Sequence, residues 1–271
     1  YALGLSYCGG EVGRNILIEK GWAITGDNRT CAAPTLVLEN LTKKYGDPSF
    51  DIVSSSNSQG TVAYEIVGEA NETSLSGTNN ATVTLGNVAE ITIKATQAIS
   101  GMYDAASKEF IVTIGKSPLT ATAEDKTRIY GQDQDNPTFT ISYDGFKGTD
   151  SVTDLDIMPT ASSAATEASE AGIYGIELTG GEDANYAITN TSGTLTIGKA
   201  SLTVTTDANQ TKVYGAAEPT FTYVVSGLVN GDVATDLETL SVSRNAGEVV
   251  GIYTITPVAS DANYEVTVET A

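Results

Sequence analysis

The chain has no histidine, one tryptophan, two methionines and two cysteines among its 271 residues. Without histidine, neither a Ser-His nor a Cys-His hydrolytic pair can be assembled, and two cysteines alone are a poor zinc site. The P-loop and dinucleotide fingerprints are absent. No run of eighteen apolar residues occurs, so no membrane-spanning helix is expected. Cationic residues are also scarce: 14 Lys and Arg stand against 34 Asp and Glu, for a net charge of −20. That excludes the basic footprint which nucleic-acid binding requires. Carboxylate pairs are inevitable at this charge and imply no cleft, so an enzyme is not expected.

The acidity is uneven, with −4 on residues 1–116, −9 on 117–199 and −7 on 200–271. One reading is a self-repelling surface that resists edge-to-edge association. The other is calcium: Asp150, Asp154 and Asp156 lie close in a loop-like stretch, and Asp133 and Asp135 follow a Tyr-Gly turn. Hard oxygen ligands at short spacing suit that ion, although no D-x-D-x-D-G loop is present. No other cofactor is expected. Cys8 and Cys31, both in the first segment, are expected to pair as a disulfide in an oxidising compartment. The loop of about 20 residues so closed would contribute about 3 kcal/mol. Two free buried thiols and a partial metal site are the alternatives.

What the chain does have is a repeat. Tyr45-Gly46, Tyr130-Gly131 and Tyr214-Gly215 are each preceded by a basic residue, and each is followed by a proline and then a phenylalanine two residues on. These are Pro48 and Phe50, Pro137 and Phe139, and Pro219 and Phe221. The tyrosines are 85 and 84 residues apart, and a period of that size means one fold unit repeated in series. Further landmarks recur in the last two copies. Gly148-Thr149-Asp150 matches Asn230-Gly231-Asp232, Gly172-Ile173-Tyr174 matches Gly251-Ile252-Tyr253, and Asp183-Ala184-Asn185-Tyr186 matches Asp261-Ala262-Asn263-Tyr264. Short alternating runs at Thr61–Val67, Ala81–Leu85, Glu90–Thr96 and Glu109–Ile114, with Asn, Gly and Ser between them, read as strands of a sandwich. The tyrosines are expected to pack into each sandwich core with their hydroxyls at its edge, Tyr186 and Tyr264 in the manner of a tyrosine corner. Exposed tyrosines gripping a ligand are the alternative. Gly131 and Gly215 are expected at positive φ, and Pro137 and Pro219 at strand entries.

Residues 1–33 differ from the rest. Val12, Ile16 and Leu17 among polar neighbours predict a short amphipathic helix over 10–20, stopped by Gly21. Tyr7-Cys8-Gly9-Gly10-Glu11, Arg14 to Ile18, and Gly21 to Asp27 up to Cys31 resemble the closing segment of BspA-like leucine-rich-repeat regions of bacterial surface proteins. The landmarks of 117–271, in their order, resemble the bacterial MBG-type module, and residues 34–116 a bacterial Ig-like domain. The resemblance implies an all-β chain of tandem immunoglobulin-like sandwiches in a rod, behind a small α/β disulfide-closed remnant. The expected domains are 1–33, 34–116, 117–199 and 200–271, joined at Gly115-Lys116-Ser117-Pro118 and Gly198-Lys199-Ala200-Ser201.

The second copy ends on a strong strand, Gly193-Thr194-Leu195-Thr196-Ile197-Gly198, for which the third has no counterpart. A fragment of a longer polypeptide is expected, with a strand donated by a neighbouring chain as the alternative. The resemblance further implies a secreted, extracellular stalk or filament segment of a Bacteroidota-like surface adhesin, used in cell attachment or gliding motility. Its partners would be neighbouring domains of the same long chain. Direct binding of glycan, mucin or another surface by end loops is the second reading.

Overall fold

The computed structural model describes the chain apart from residues 1, 4–5, 8–10, 26–27, 30, 134–136 and 271. Contacts divide it into two compact units, one of residues 1–119, 145–157 and 182–188, the other of residues 120–144, 158–181 and 189–271. The fold is nearly all β, built as multiple small sheets. No helix of the described residues is long and apolar enough to cross a membrane.

Helix α1 (Glu11–Glu19) forms as the periodicity predicts. Gly21, at φ +86°, ends it: its N–H bonds Ile18 O at 2.9 Å, and that of Trp22 bonds Leu17 O at 3.0 Å. A left-handed residue at this point satisfies the last carbonyls, and glycine adopts it without strain. Cys31 is half-buried, and Cys8, its expected partner, lies outside the described residues.

Strands β1 (Leu41–Lys44), β2 (Val62–Val67), β3 (Ala89–Gln97) and β4 (Ala106–Gly115) form one sheet in the order β1-β4-β3-β2. The long central strands alternate: Ile91, Ile93, Ala95, Phe110, Val112 and Ile114 are all buried. They face a second sheet made from Phe50–Asp51, Ser74–Ser76 and Thr82–Thr84, which contributes buried Val83. Burying each such aliphatic side chain contributes about 1.5–3 kcal/mol, so this face decides the register.

The next sandwich uses β5 (Ser117–Ala123), β6 (Lys126–Ile129), β7 (Ile141–Asp144), β8 (Thr160–Ser163), β9 (Gly172–Thr179), β10 (Tyr186–Thr191) and β11 (Gly193–Gly198). Its sheets run β7-β5-β10 and β6-β11-β9-β8. Strand β11 lies parallel to β6 and antiparallel to β9, and drives Leu195 and Ile197 into the core. Strand β4 holds the same position in the preceding sandwich, parallel to β1 and antiparallel to β3.

The third segment contains β12 (Ala200–Thr206), β13 (Tyr223–Ser226), β14 (Thr239–Arg244), β15 (Ile255–Ser260) and β16 (Tyr264–Glu269). One sheet is complete, in the order β13-β12-β16. The other is a β14-β15 pair, with no strand in the β6 and β11 positions among the described residues.

The expected four-residue linkers are shorter than predicted. Strand β4 ends at Gly115 and β5 begins at Ser117, while β11 ends at Gly198 and β12 begins at Ala200. Lys116 and Lys199 alone intervene, and Ser117 and Ala200 are already buried. Strand pairing claims the flanking residues because each strand enters the next sheet directly.

Candidate functional site

Each compact unit contains one cluster of two tyrosines on one aspartate, drawn from successive copies of the sequence repeat. In the first, Tyr45 follows β1, and its N–H donates to Gly115 O at 2.9 Å, extending the β1-β4 ladder by one bond. Gly46 at φ +72° turns the chain away. Tyr186 opens β10 after a turn in which Asp183 Oδ1 accepts the N–H groups of Asn185 at 2.7 Å and Tyr186 at 2.9 Å. An Asx turn of this kind is what Asp-Ala-Asn favours.

The rings of Tyr45 and Tyr186 meet edge to face, with centroids 5.5 Å apart and planes at 80°. Phe146 packs on Tyr186 in the same way, at 5.5 Å and 84°. Such pairs contribute about 0.5–1.5 kcal/mol beyond burial. Both hydroxyls donate to Asp150 Oδ2, Tyr186 at 2.6 Å and Tyr45 at 3.0 Å, and the Tyr186 oxygen accepts Lys147 N–H at 2.8 Å. Burial first, and then the Asp150 carboxylate, raise both hydroxyls above the ordinary tyrosine value, Tyr186 strongly.

The second cluster repeats the first with Tyr130, Asp232 and Tyr264. The rings are 5.6 Å apart at 84°. Tyr264 donates to Asp232 Oδ2 at 2.7 Å and Tyr130 to the same oxygen at 3.1 Å, while Val229 N–H reaches the Tyr264 oxygen at 3.0 Å. The Tyr264 hydroxyl is pushed up to about 12, by burial and then by Asp232. At Tyr130 the Asn230 amide works to lower the value, but burial and Asp232 together leave it raised.

Three backbone-directed contacts recur beside the rings. Asn185 Oδ1 accepts Val88 N–H at 3.0 Å, and Asn263 Oδ1 accepts Ala171 N–H at 2.9 Å. Lys116 Nζ donates to Asp183 O at 2.7 Å, and Lys199 Nζ to Asp261 O at 2.9 Å. Ser117 and Ala200 N–H groups donate to Asn185 O and Asn263 O, both at 2.9 Å.

Tyr186 and Tyr264 each take a backbone N–H, from Lys147 and Val229, far upstream of the few residues over which the hydroxyl of a tyrosine corner reaches back. Tyr45 and Tyr130 do more than fill their own sandwich, since each is also half of a junction with the next copy. Tyr214 departs from the core expectation: it is 73% exposed. Its turn is nevertheless the same, with Gly215 at φ +75°. Tyr174 and Tyr253 make matching local bonds to Glu170 O at 2.9 Å and Val249 O at 2.7 Å. Pro137 and Pro219 are half-buried and precede β7 and β13 by a few residues.

Asp150, Asp154 and Asp156 are not brought together as ligands. Asp150 takes the two phenols, Asp154 Oδ2 caps a short turn by accepting Ser151 N–H at 2.8 Å, and Asp156 Oδ2 accepts Ala184 N–H at 2.8 Å. No group of three metal-ligating side chains occurs among the described residues, and Asp135 lies outside them. Sequence reasoning missed the role of Asp150 and Asp232 as shared acceptors. The signal was their recurrence at matching places in both copies, one or two residues after a glycine.

Gly131 gives a direct test of the junction. A Cβ there would stand 2.4 Å from Val229 Cγ2, at a φ of +77°. Gly131→Ala is expected to cost about 1–2 kcal/mol from backbone conformation alone, read as a lower urea midpoint for the unit that contains it. Gly215→Ala shares the φ but meets nothing within 4 Å, so the difference between the two variants isolates the contact.

Among the described residues the recurrent geometry is that of serial β-sandwich repeats joined by a tyrosine-aspartate-tyrosine cluster. The family model for the MBG domain (YGX type) matches residues 119–196 and 202–271. The chain belongs to that family, as two tandem repeats. No curated protein sequence matches the chain. Among solved structures it is similar to the I67–I69 fragment of titin, at 11% identity over 88% of this chain and 99% of that one, with a TM-score of 0.29. It is also similar to the Bacillus anthracis TIE protein, at 10% identity over 96% and 61%, with a TM-score of 0.30. A third is SGBP-B of the Bacteroides ovatus mixed-linkage glucan utilization locus, solved with a mixed-linkage heptasaccharide, at 12% identity over 88% and 71%, with a TM-score of 0.24.

Proposed function

We propose that the chain is a structural stalk segment of a secreted bacterial surface adhesin, in which tandem repeats space and display adhesive regions. The observation that carries this reading is the duplicated junction. Tyr45, Asp150 and Tyr186, and again Tyr130, Asp232 and Tyr264, direct their hydroxyl and carboxylate groups at one another across successive copies. A repeat that invests its most recurrent residues in its neighbour is suited to bearing load along a chain. The one-residue connections at Lys116 and Lys199 support the same reading, because they leave no tether for independent tumbling. On it, the chain divides into a leucine-rich-repeat-like cap at 1–33, a bacterial Ig-like domain at 34–116, and MBG-type repeats at 117–199 and 200–271. Neighbouring domains of the same long polypeptide are its partners, and the bacterial cell surface is its location.

The test has two arms. Antibody raised against the purified chain is expected to label intact cells of the source bacterium without permeabilisation, and the chain itself is expected to stay silent on a glycan array. Labelling only after permeabilisation would overturn the surface reading. Saturable array signal would replace the spacer by a glycan- or mucin-binding module.

A further inference from the structure

The turn that carries the second cluster holds the chain's one Asn-Gly pair, Asn230-Gly231. Asp232 N–H closes it on Val229 O at 3.0 Å, with φ +59° at Asn230 and +82° at Gly231. Two left-handed central residues make a type I′ turn, for which Asn-Gly is a favoured pair. The turn reaches both rings of the cluster. Val229 N–H meets the Tyr264 oxygen at 3.0 Å, Asp232 Oδ2 accepts both phenols, and Asn230 Nδ2 donates to the Tyr130 oxygen at 3.2 Å. Asn230 and Gly231 are nevertheless exposed, and a Cβ on Gly231 would meet nothing within 4 Å. The sister turn, Lys147-Gly148-Thr149-Asp150, is closed by the same bond at 3.0 Å and has no asparagine.

We propose that Asn230-Gly231 is a self-modifying site, whose conversion changes the second cluster irreversibly from one carboxylate to two. The Gly231 backbone nitrogen gives its proton to hydroxide and attacks Asn230 Cγ. The C–N bond so formed closes a succinimide ring, and the side-chain nitrogen leaves as ammonia. Water then opens the ring at Cγ, giving aspartate, or at the backbone carbonyl carbon, giving isoaspartate. The sum is asparagine plus water to aspartate plus ammonia, with no oxidant or enzyme required. Glycine suits the step because no side chain shields its nitrogen, and the exposure of the pair admits water. Ring closure requires Asn230 to rotate out of the turn, so the reaction draws on molecules in which the Tyr130 contact has opened. Neither product restores that contact. Aspartate lacks the N–H that Asn230 gives to Tyr130 and sets a second negative charge beside Asp232 on the same phenol. Isoaspartate also lengthens the backbone of the turn that positions Val229 and Asp232. Both loosen Tyr130 and Tyr264 from their shared acceptor, while the first cluster, with no asparagine in its turn, is untouched.

The experiment incubates the whole folded chain in mildly alkaline buffer, beside a sample unfolded in urea, and follows both by peptide mapping. The peptide containing 229–232 is expected to gain one mass unit with time in the folded chain, as aspartate and isoaspartate forms. In the converted fraction the amides of β12 and β16 are expected to exchange about 10-fold faster, and those of β1 and β4 to keep their rates. Asn230→Gln retains the amide but can close only a larger, slower-forming ring. Its β12 and β16 rates are expected to hold at their starting values through the same incubation. No mass gain in the folded chain, whether or not the unfolded sample converts, would overturn the site. Conversion that leaves β12 and β16 exchange unchanged would overturn its effect on the cluster. Equal drift of exchange in Asn230→Gln would place the cause elsewhere in the chain and overturn the assignment to Asn230.

Discussion

Tyr264→Ala is expected to destabilise the unit of residues 120–144, 158–181 and 189–271 by about 3–5 kcal/mol, the usual cost of deleting a buried aromatic ring. The side chain is 3% exposed, packs edge to face on Tyr130, and opens β16 at the point where β16 pairs with β12. Its loss empties a site that the backbone cannot collapse to fill, because Ala200 and Tyr264 are register partners on adjacent strands. Tyr264→Phe keeps the ring and removes one donor to Asp232 together with the acceptor of Val229 N–H. A smaller cost of about 1–2 kcal/mol follows, because Asp232 keeps Tyr130 as a donor and is open enough to take water. Urea unfolding with hydrogen exchange on β12 and β16 as the local readout separates the variants. Equal effects of Ala and Phe would mean that the ring contact contributes nothing.

Raising the pH above 10 is the second perturbation with a large expected effect. The hydroxyl of Tyr264 is pushed up to about 12 in the folded chain against 10.0 ordinarily, so the native state holds the proton more tightly than the unfolded state. A group of this sign contributes its full stability below pH 10 and loses it as pH rises towards 12. For a difference of about two units the loss is on the order of 2–3 kcal/mol. Tyr186 is raised further, for the same two causes, and so extends the loss to more alkaline pH in the other cluster. Both shifts express one arrangement, a phenol buried against a carboxylate that would repel it once ionised. Urea midpoints measured from pH 8 to 12 are expected to fall through this window, less steeply in Tyr264→Phe. An unchanged slope in that variant would remove Tyr264 as the cause.

The two clusters explain why the Tyr-Gly and Asn-Tyr marks recur at a fixed distance. Tyr45 and Tyr130 must each reach a carboxylate and a ring in the following copy, and Gly46 and Gly131 turn the chain at once to clear Lys147 and Val229. Asn185 and Asn263 each tie the backbone of the preceding copy through Val88 and Ala171. A substitution at any of these positions therefore acts on two repeats. One at Tyr174 or Tyr253, whose hydroxyls bond four residues back, acts on one.

The sequence by itself determined the repeat, its period, the strand-forming runs and the all-β class, because these rest on local alternation and on turn residues that act within a few positions of themselves. Ile91, Ile93 and Ala95 announce one buried face without reference to anything distant. The helix over 11–19 and its glycine stop were legible for the same reason. Only the tertiary structure decided what the landmark tyrosines meet. Tyr45 and Asp150 are 105 positions apart, and Tyr130 and Asp232 102 apart; no local pattern states that a phenol in one copy shares an acceptor with a phenol in the next. The same holds for Asp150, Asp154 and Asp156, close along the chain yet turned to separate partners. Spacing restricts which residues can come near one another, whereas packing and the hydrogen-bonding demand of buried groups select which of them do.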